Sequence, residues 1–346
     1  MNRSSRPRAV PSLAGVAIAV VVLAGTLAAC GNGDGAAGTT EDGDRKVTLV
    51  LDWTPNTNHS GIYLAQKRGW YRQAGIELKI VQPGENTSLS LLSSRRAQFA
   101  VAPQESVVPA RAEGIPVVAV AAVIQHNTSS LLSLKSDGAA RPRDLEGKKY
   151  GGYGGELENA LIDKLVACDG GDPTKVDRVE IGNVDFRVGL EKDFYDSVWV
   201  YDGWDKIRLG DIDQVPVDTI PFIDHTDCIP DWYTPMITTT EQAIEDDSKL
   251  VKTFMEVTAR GYREAMADPT AAANALLAAA PELDEDLVRR SAEYLSTRYA
   301  DDPGDWGHQD QKVWTGFVDF LAESGLIDEP IDVKPAYTNR FLPVVE

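Results

Sequence analysis

From Lys46 onward, short apolar runs alternate with longer segments whose apolar residues recur at helical spacing, the pattern of an α/β architecture with mostly parallel strands. The run KVTLVLDW at 46–53 predicts the first strand. In 61–73, GIYLAQKRGWYRQ, Ile62, Ala65 and Gly69 share one side of a helix, and Gly75 ends it before a second strand at 76–81. A helix in TSLSLLSSRR, a strand at 98–102, a helix in QESVVPARAEG closed by Gly114 and a fully buried strand at 116–124 follow. After a strand at 130–134, KSDGAARPRDLEGKK brings basic residues and turn formers, and this reads as the crossover into a second lobe. The rhythm then repeats: a strand at 149–151, a glycine-rich turn, a helix at 156–167, a strand at 176–181, a helix at 185–192, a strand at 196–201 and a helix after Gly203. Residues 217–240, rich in proline and threonine, lead back to helices near 241–267, 269–279, 284–299 and 309–324. The expected organisation is one lobe from 46–134 with 226–346 and another from 135–225, joined by a hinge.

The chain ahead of this body has a different pattern. Residues 1–8 carry three arginines and no acid, an apolar run fills 12–29, and small residues lead into Leu27-Ala28-Ala29-Cys30. That order predicts a secretory signal peptide over 1–29 rather than a membrane-spanning anchor, because the run is rich in alanine and glycine and ends at a small-residue cleavage site. The last four residues resemble the lipobox of bacterial lipoproteins, which implies a lipid on Cys30 and attachment to the outer face of the cell membrane. Residues 31–44, without a large apolar side chain, read with Cys30 and Arg45 as a flexible tether.

With 346 residues, the chain exceeds the usual domain of about 100–200 residues, as two lobes require. Its 53 acidic and 34 basic side chains give a formal net charge of −19, and loss of the three N-terminal arginines takes it to −22. Such a surface repels polyphosphate, so nucleic acid is not an expected partner. Cys168 and Cys228 remain after Cys30, at a spacing that leaves both a disulfide and two free thiols open.

Candidate chemistry gathers at strand ends, where ligands of open α/β sheets bind. In LDWTPNTNHSG (51–61), Asp52, Trp53, Asn56 and His59 crowd the end of the first strand; the indole offers a stacking face, while Asn56 and His59 offer directional hydrogen bonds. A capped loop with a half-buried Trp would use the same residues. In APQESVVPA (102–110), Gln104, Glu105 and Ser106 open a helix, either as a ligand site or as its cap. GGYGGELE (151–158) lacks the Lys-Ser or Lys-Thr of a nucleotide loop, and Glu156 and Glu158 would repel phosphate. It suits a tight turn at Gly152 where a ligand approaches the backbone, with Tyr153 as a ring wall; a plain turn is the alternative. SVWVYDGWDKI (197–207) repeats the first theme with Tyr201, Asp202, Trp204 and Asp205, of which an Asp could simply cap the following helix. IDHTDCIPDWYTP (223–235) is dense in Asp224, His225, Asp227 and Trp232, but no second histidine stands at helical spacing, so a pocket rim or interlobe strand is expected rather than a metal site. The four histidines fall on different loops and no Gly-x-Ser-x-Gly elbow is present, so neither a catalytic triad nor a cofactor is expected.

These segments, together with the closing YTNRFLP, resemble the periplasmic-type binding proteins related to the yeast thiamine-pyrimidine synthesis protein, in particular the binding components of pyrimidine importers. The similarity runs through nearly all of 46–343. It implies a type II periplasmic-binding-protein fold that closes on a small ligand and hands it to an ABC permease. The implied ligand is a thiamine-related aminopyrimidine of the formylaminopyrimidine or hydroxymethylpyrimidine type. By motif, Trp53, Asn56, Gly152, Tyr153, Tyr201 and Asp205 take the ligand positions; family members commonly carry a glutamate where Asp205 stands. Beside them, His59, Gln104, Glu105 and Asp202 are candidates on their own chemistry. The eukaryotic branch of the family, a pyrimidine synthase that consumes its own histidine, carries a cysteine-rich iron motif that has no counterpart here.

Overall fold

The structure, a computed structural model, describes residues 38–39, 43–84, 86–182 and 185–344. The expected signal peptide, Cys30 and most of the tether lie outside the described residues. The strands are β1 (Arg45–Val50), β2 (Ile76–Val81), β3 (Phe99–Ala102), β4 (Val117–Ala122), β5 (Ser129–Leu134), β6 (Lys149–Gly152), β7 (Asp177–Glu180), β8 (Ser197–Tyr201), β9 (Val217–Pro221) and β10 (Met236–Thr240). They form two five-stranded sheets, β2-β1-β3-β10-β4 and β7-β6-β8-β5-β9.

Each sheet is parallel except around one strand. β10 runs antiparallel to β3 and β4, and β5 antiparallel to β8 and β9. Both are the strands that have changed sheet: the chain leaves the first sheet after β4 and enters the second as β5, then leaves after β9 and returns as β10. A strand arriving from the other lobe enters from the end where the neighbouring parallel strands finish, so it points the opposite way. The lobe boundary read from sequence at 134 therefore shifts: β5 pairs in the second sheet, and the crossing is the segment 123–128. Segment 222–235 is the other crossing.

Apolar strands explain the layering. β3 and β4, FAVA and VVAVAA, are buried at every position, as expected for strands covered on both faces. One core packs the first sheet against the helices Ser60–Lys67, Ser248–Ala267, Pro269–Ala279 and Glu285–Ser296. A second cluster runs from Val50 and Ala102 through Trp232, Phe222, Trp314 and Phe317 to Leu131 and Leu161, and so joins both sheets. A third covers the opposite face of β5 and β8 through Leu132, Val198 and Val200.

Several helices differ from the periodicity reading for local reasons. The expected helix at 61–73 breaks into Ser60–Lys67 and Trp70–Gln73 at Gly69, whose φ of 72° suits glycine. The stretch 241–267 divides at Asp247, which caps Ser248–Ala267 by accepting from Leu250 N. Asp185, Asp268, Asp284 and Asp310 cap helices in the same way, so part of the acid excess serves helix starts. After β8 the chain winds as a π-helix, Asp202–Ile212, rather than an α-helix. The two cysteines, left open by sequence, are joined: the Cys168–Cys228 disulfide ties the end of the helix Glu156–Cys168 to the second crossing. Among the described residues, no helix is long and apolar enough to cross a membrane.

Two glycines let the helices Ser60–Lys67 and Ser248–Ala267 pack closely. A Cβ on Gly261 would stand 2.1 Å from Gly61 O, and one on Gly61 would stand 2.4 Å from Tyr262 Cγ. Gly261→Ala should lose about 2 kcal/mol or more of stability in urea denaturation, because the obstructing atom is backbone. An unchanged midpoint would show that the helices can separate freely.

Candidate functional site

Four strand ends supply the site: β1 and β3 from the first sheet, β6 and β8 from the second. After β1 the loop turns at Asn56, which starts a short 3-10 helix, Thr57–His59. Asn56 Oδ1 accepts from Asn58 N at 2.9 Å and its Nδ2 donates to Thr54 O at 3.1 Å. Its side chain is thus engaged by its own loop, the capping role. His59 is fully buried; Nδ1 accepts from Asn56 N at 3.2 Å, which leaves Nε2–H to donate to Asp52 Oδ1 at 2.8 Å. The imidazole is neutral in that tautomer and acts on Asp52 rather than facing outward. Trp53, next to Asp52 in the chain, has 69% of its surface exposed.

At the end of β3, Gln104 is buried and clamps the returning chain: Gln104 N donates to Tyr233 O at 2.9 Å, and Tyr233 N donates to Gln104 Oε1 at 2.8 Å. Glu105, next along, accepts from Trp232 Nε1 at 3.0 Å. Burial, with the nearby Asp52 charge adding to it, pushes the Glu105 carboxyl up to about 7, although the indole N–H opposes the shift.

The second lobe answers with β8. Tyr201 is 41% exposed, yet its phenol oxygen is shielded, and burial first, then the Glu105 and Asp52 carboxylates, hold its pKa far above the ordinary range. This places the Tyr201 hydroxyl in the field of both first-lobe acids. Asp205 accepts from Tyr201 N at 3.0 Å and is pushed up to about 6, chiefly by burial. Tyr153, after β6, is largely exposed, and its phenol is raised by burial and by the Asp205 charge.

Asp52, Glu105 and Asp205 therefore all lie within electrostatic reach of Tyr201, and Asp205 within reach of Tyr153, while Trp53 is exposed next to Asp52. Gly152 is held by packing within its own lobe, and Asp202 is buried with its Oδ1 lacking a hydrogen-bond partner among the described residues. A Cβ on Gly152 would stand 2.8 Å from Tyr150 Cε1 and 3.0 Å from Glu158 Oε1, and Glu158 is occupied with Tyr150 Oη, Tyr153 N and Gly155 N. Glycine is thus required to seat the turn on its helix. Asp202 is buried with its carboxyl raised, chiefly by burial; Lys206, Ser130 and Arg298 oppose the shift. Asp52 and Trp232, quoted in the motifs but not singled out as ligand positions, belong with the cluster. Their signal was an acid directly at a strand end and an indole N–H in a polar loop.

Chemically, the arrangement offers carboxylate acceptors from both lobes among aromatic faces, and no cation stands among these residues. It suits a flat ligand with N–H donors. Among the described residues, one set of three potential metal-ligand atoms lies close together, on Cys168, Asp227 and Cys228, and two of the three are bonded to each other in the disulfide.

Raised carboxyl pKa values couple to stability with a definite sign. The folded protein keeps the Glu105 proton to about 7 against an ordinary value of 4.5, so this group's destabilisation is absent below about 4.5 and complete above about 7. The melting temperature of the ligand-free protein should fall as pH rises through that window, and Glu105→Gln should flatten the fall. An identical slope in the variant would remove Glu105 from the cluster.

A family model described as NMT1/THI5 like matches residues 56–272. A 4-amino-5-hydroxymethyl-2-methylpyrimidine phosphate synthase of Legionella pneumophila is 28% identical over 86% of this chain and 92% of its own length. The formylaminopyrimidine-binding protein of Halalkalibacterium halodurans is 23% identical over 85% of this chain and 89% of its own. Among solved structures, the periplasmic aliphatic sulphonate binding protein SsuA of Escherichia coli superposes with a TM-score of 0.66 at 14% identity, covering 84% of this chain and 96% of that one. At that identity the likeness speaks to fold, and the fold is the two-lobed periplasmic-binding-protein fold. The chain belongs to the NMT1/THI5-like family.

Proposed function

We propose that the protein is the solute-binding lipoprotein of an ABC importer and captures a thiamine-related aminopyrimidine, of the formylaminopyrimidine or hydroxymethylpyrimidine type, for uptake and thiamine salvage. The observation that carries this reading is the meeting of Glu105 and Asp52 from one lobe with Tyr201 and Asp205 from the other. An aminopyrimidine presents an exocyclic amine to a carboxylate, ring nitrogens to a donor and a π face to an indole or phenol. Two carboxyls held above their ordinary range would also be met by a ligand that brings donors or positive charge. A sulfonate fits poorly, since it needs cations or N–H groups where this cluster has acids.

The synthase branch of the family is the competing reading, supported by the Legionella relative's name. Against it stands the lack of a clustered cysteine motif, since Cys168 and Cys228 are the two cysteines of the body and they pair with each other. The buried His59, bonded at both nitrogens, fits a residue that orients Asp52 rather than one that is consumed. In the receptor reading, the ligand passes intact to the permease, and Cys30 carries the lipid that keeps the protein at the membrane.

Two outcomes follow. Calorimetric titration with formylaminopyrimidine should show Trp53→Ala and Asp205→Ala each weakening binding by about 1–3 kcal/mol, through lost stacking and an unpaired ligand donor; unchanged affinity in both would place the ligand elsewhere. Cys30→Ala should move the protein out of the membrane fraction of its host, and continued retention there would contradict the lipid anchor.

A further inference from the structure

Beside Tyr201 and Glu105, buried donors have no hydrogen-bond partner among the described residues. Ser129 opens β5 directly opposite Tyr201 in the antiparallel register, so the two side chains lie on the same face of the sheet. Ser129 is 1% exposed, and its Oγ has no hydrogen-bond partner among the described residues. Its backbone N donates to Asn127 Oδ1 at 2.7 Å, and the other end of that amide, Nδ2, is also buried and unpartnered. Asn127 N is in turn held by Asp231 Oδ1 at 2.9 Å, so the segment is fixed at the first crossing between the lobes. Beside Glu105, Gln104 is fully buried; its Oε1 is taken by Tyr233 N, while its Nε2 has no partner among the described residues.

A buried hydroxyl or amide without a partner is costly, and in a folded protein it calls for an explanation. Here the unpartnered groups flank Tyr201 and Glu105, whose own groups are acceptors or weak acids. We infer that Ser129 is a ligand-reading residue: its hydroxyl donates to an acceptor atom of the bound heterocycle, giving the site a donor side next to its carboxylate side. The ligand class narrows accordingly to rings that carry an amino donor and a ring-nitrogen or carbonyl acceptor together, as an aminopyrimidine does. An alkylamine or other simple cation would satisfy the carboxylates and leave Ser129 unpaired. This inference rests on the pyrimidine-receptor reading above.

The test uses the purified mature protein, formylaminopyrimidine as probe, and the variants Ser129→Ala and Ser129→Thr. Two quantities are measured: calorimetric affinity and the melting temperature of the ligand-free protein. A hydroxyl kept for the ligand predicts that Ser129→Ala melts at the same or a slightly higher temperature, since an unsatisfied polar group has been removed, while affinity falls by roughly tenfold. Ser129→Thr, which keeps the hydroxyl, should bind more tightly than Ser129→Ala. Unchanged affinity in Ser129→Ala overturns the inference and leaves the receptor reading standing. A clear drop in the ligand-free melting temperature of Ser129→Ala also overturns it, because the hydroxyl would then serve the fold. If the unaltered protein binds no aminopyrimidine, the receptor reading fails and the inference falls with it.

Discussion

Carboxylates from two separate sheets are held near one another where water is scarce, and most of the site can be understood as a consequence. Asp52 and Glu105 belong to strand ends of the first lobe, Asp205 to the second, and each is positioned by a group behind it. His59 Nε2 holds Asp52, Trp232 Nε1 holds Glu105, and Tyr201 N holds Asp205. Burial raises the cost of ionisation there, with the Asp52 charge adding to it at Glu105, and Glu105 and Asp205 respond with pKa values above the ordinary range. Such a cluster is at ease when a donor-rich partner lies among its members.

The scaffold behind the cluster is built to keep the loops from drifting. Tyr262 Oη donates to Asn58 O at 2.7 Å and Tyr299 Oη donates to Thr57 O at 2.6 Å, so two buried phenols from the C-terminal helical region brace the Asp52–His59 loop. Ser291, on the helix Glu285–Ser296, bonds both Thr57 Oγ1 of the first lobe and Gly203 O of the second. One hydroxyl thus links the segment after β1 to the π-helix after β8, the two segments that carry Asp52 and Asp205. The Cys168–Cys228 disulfide adds a covalent tie between the second lobe and the returning crossing. These loops are therefore set by rigid elements rather than by their own flexibility.

Much of this layout can be read from the chain before any coordinates. Strand ends are legible because runs such as SVWVY and KVTLV stop abruptly at acids and aromatics, and buried parallel strands leave those ends as the natural place for a ligand. The antiparallel β5 and β10 are harder to read, because a strand that has changed lobes has the same composition as one that has not. The orientation of individual polar side chains is also not visible. Asn56, His59 and Gln104 have the chemistry of ligand contacts, but local and cross-chain hydrogen bonds engage them in capping, in steering Asp52 and in clamping Tyr233. Ser129 shows the converse: a serine opening an apolar strand carries no signal until its register with Tyr201 and its lack of a partner are known.

Whether the cleft receives its ligand or transforms it is decided most directly by native mass spectrometry of the mature protein mixed with formylaminopyrimidine, followed by denaturing release. The account predicts one pyrimidine per chain in the native spectrum, recovered with its mass unchanged and with the polypeptide mass unaltered. A native spectrum without the complex, a released ring of different mass, or a polypeptide that has lost mass at His59 would contradict it.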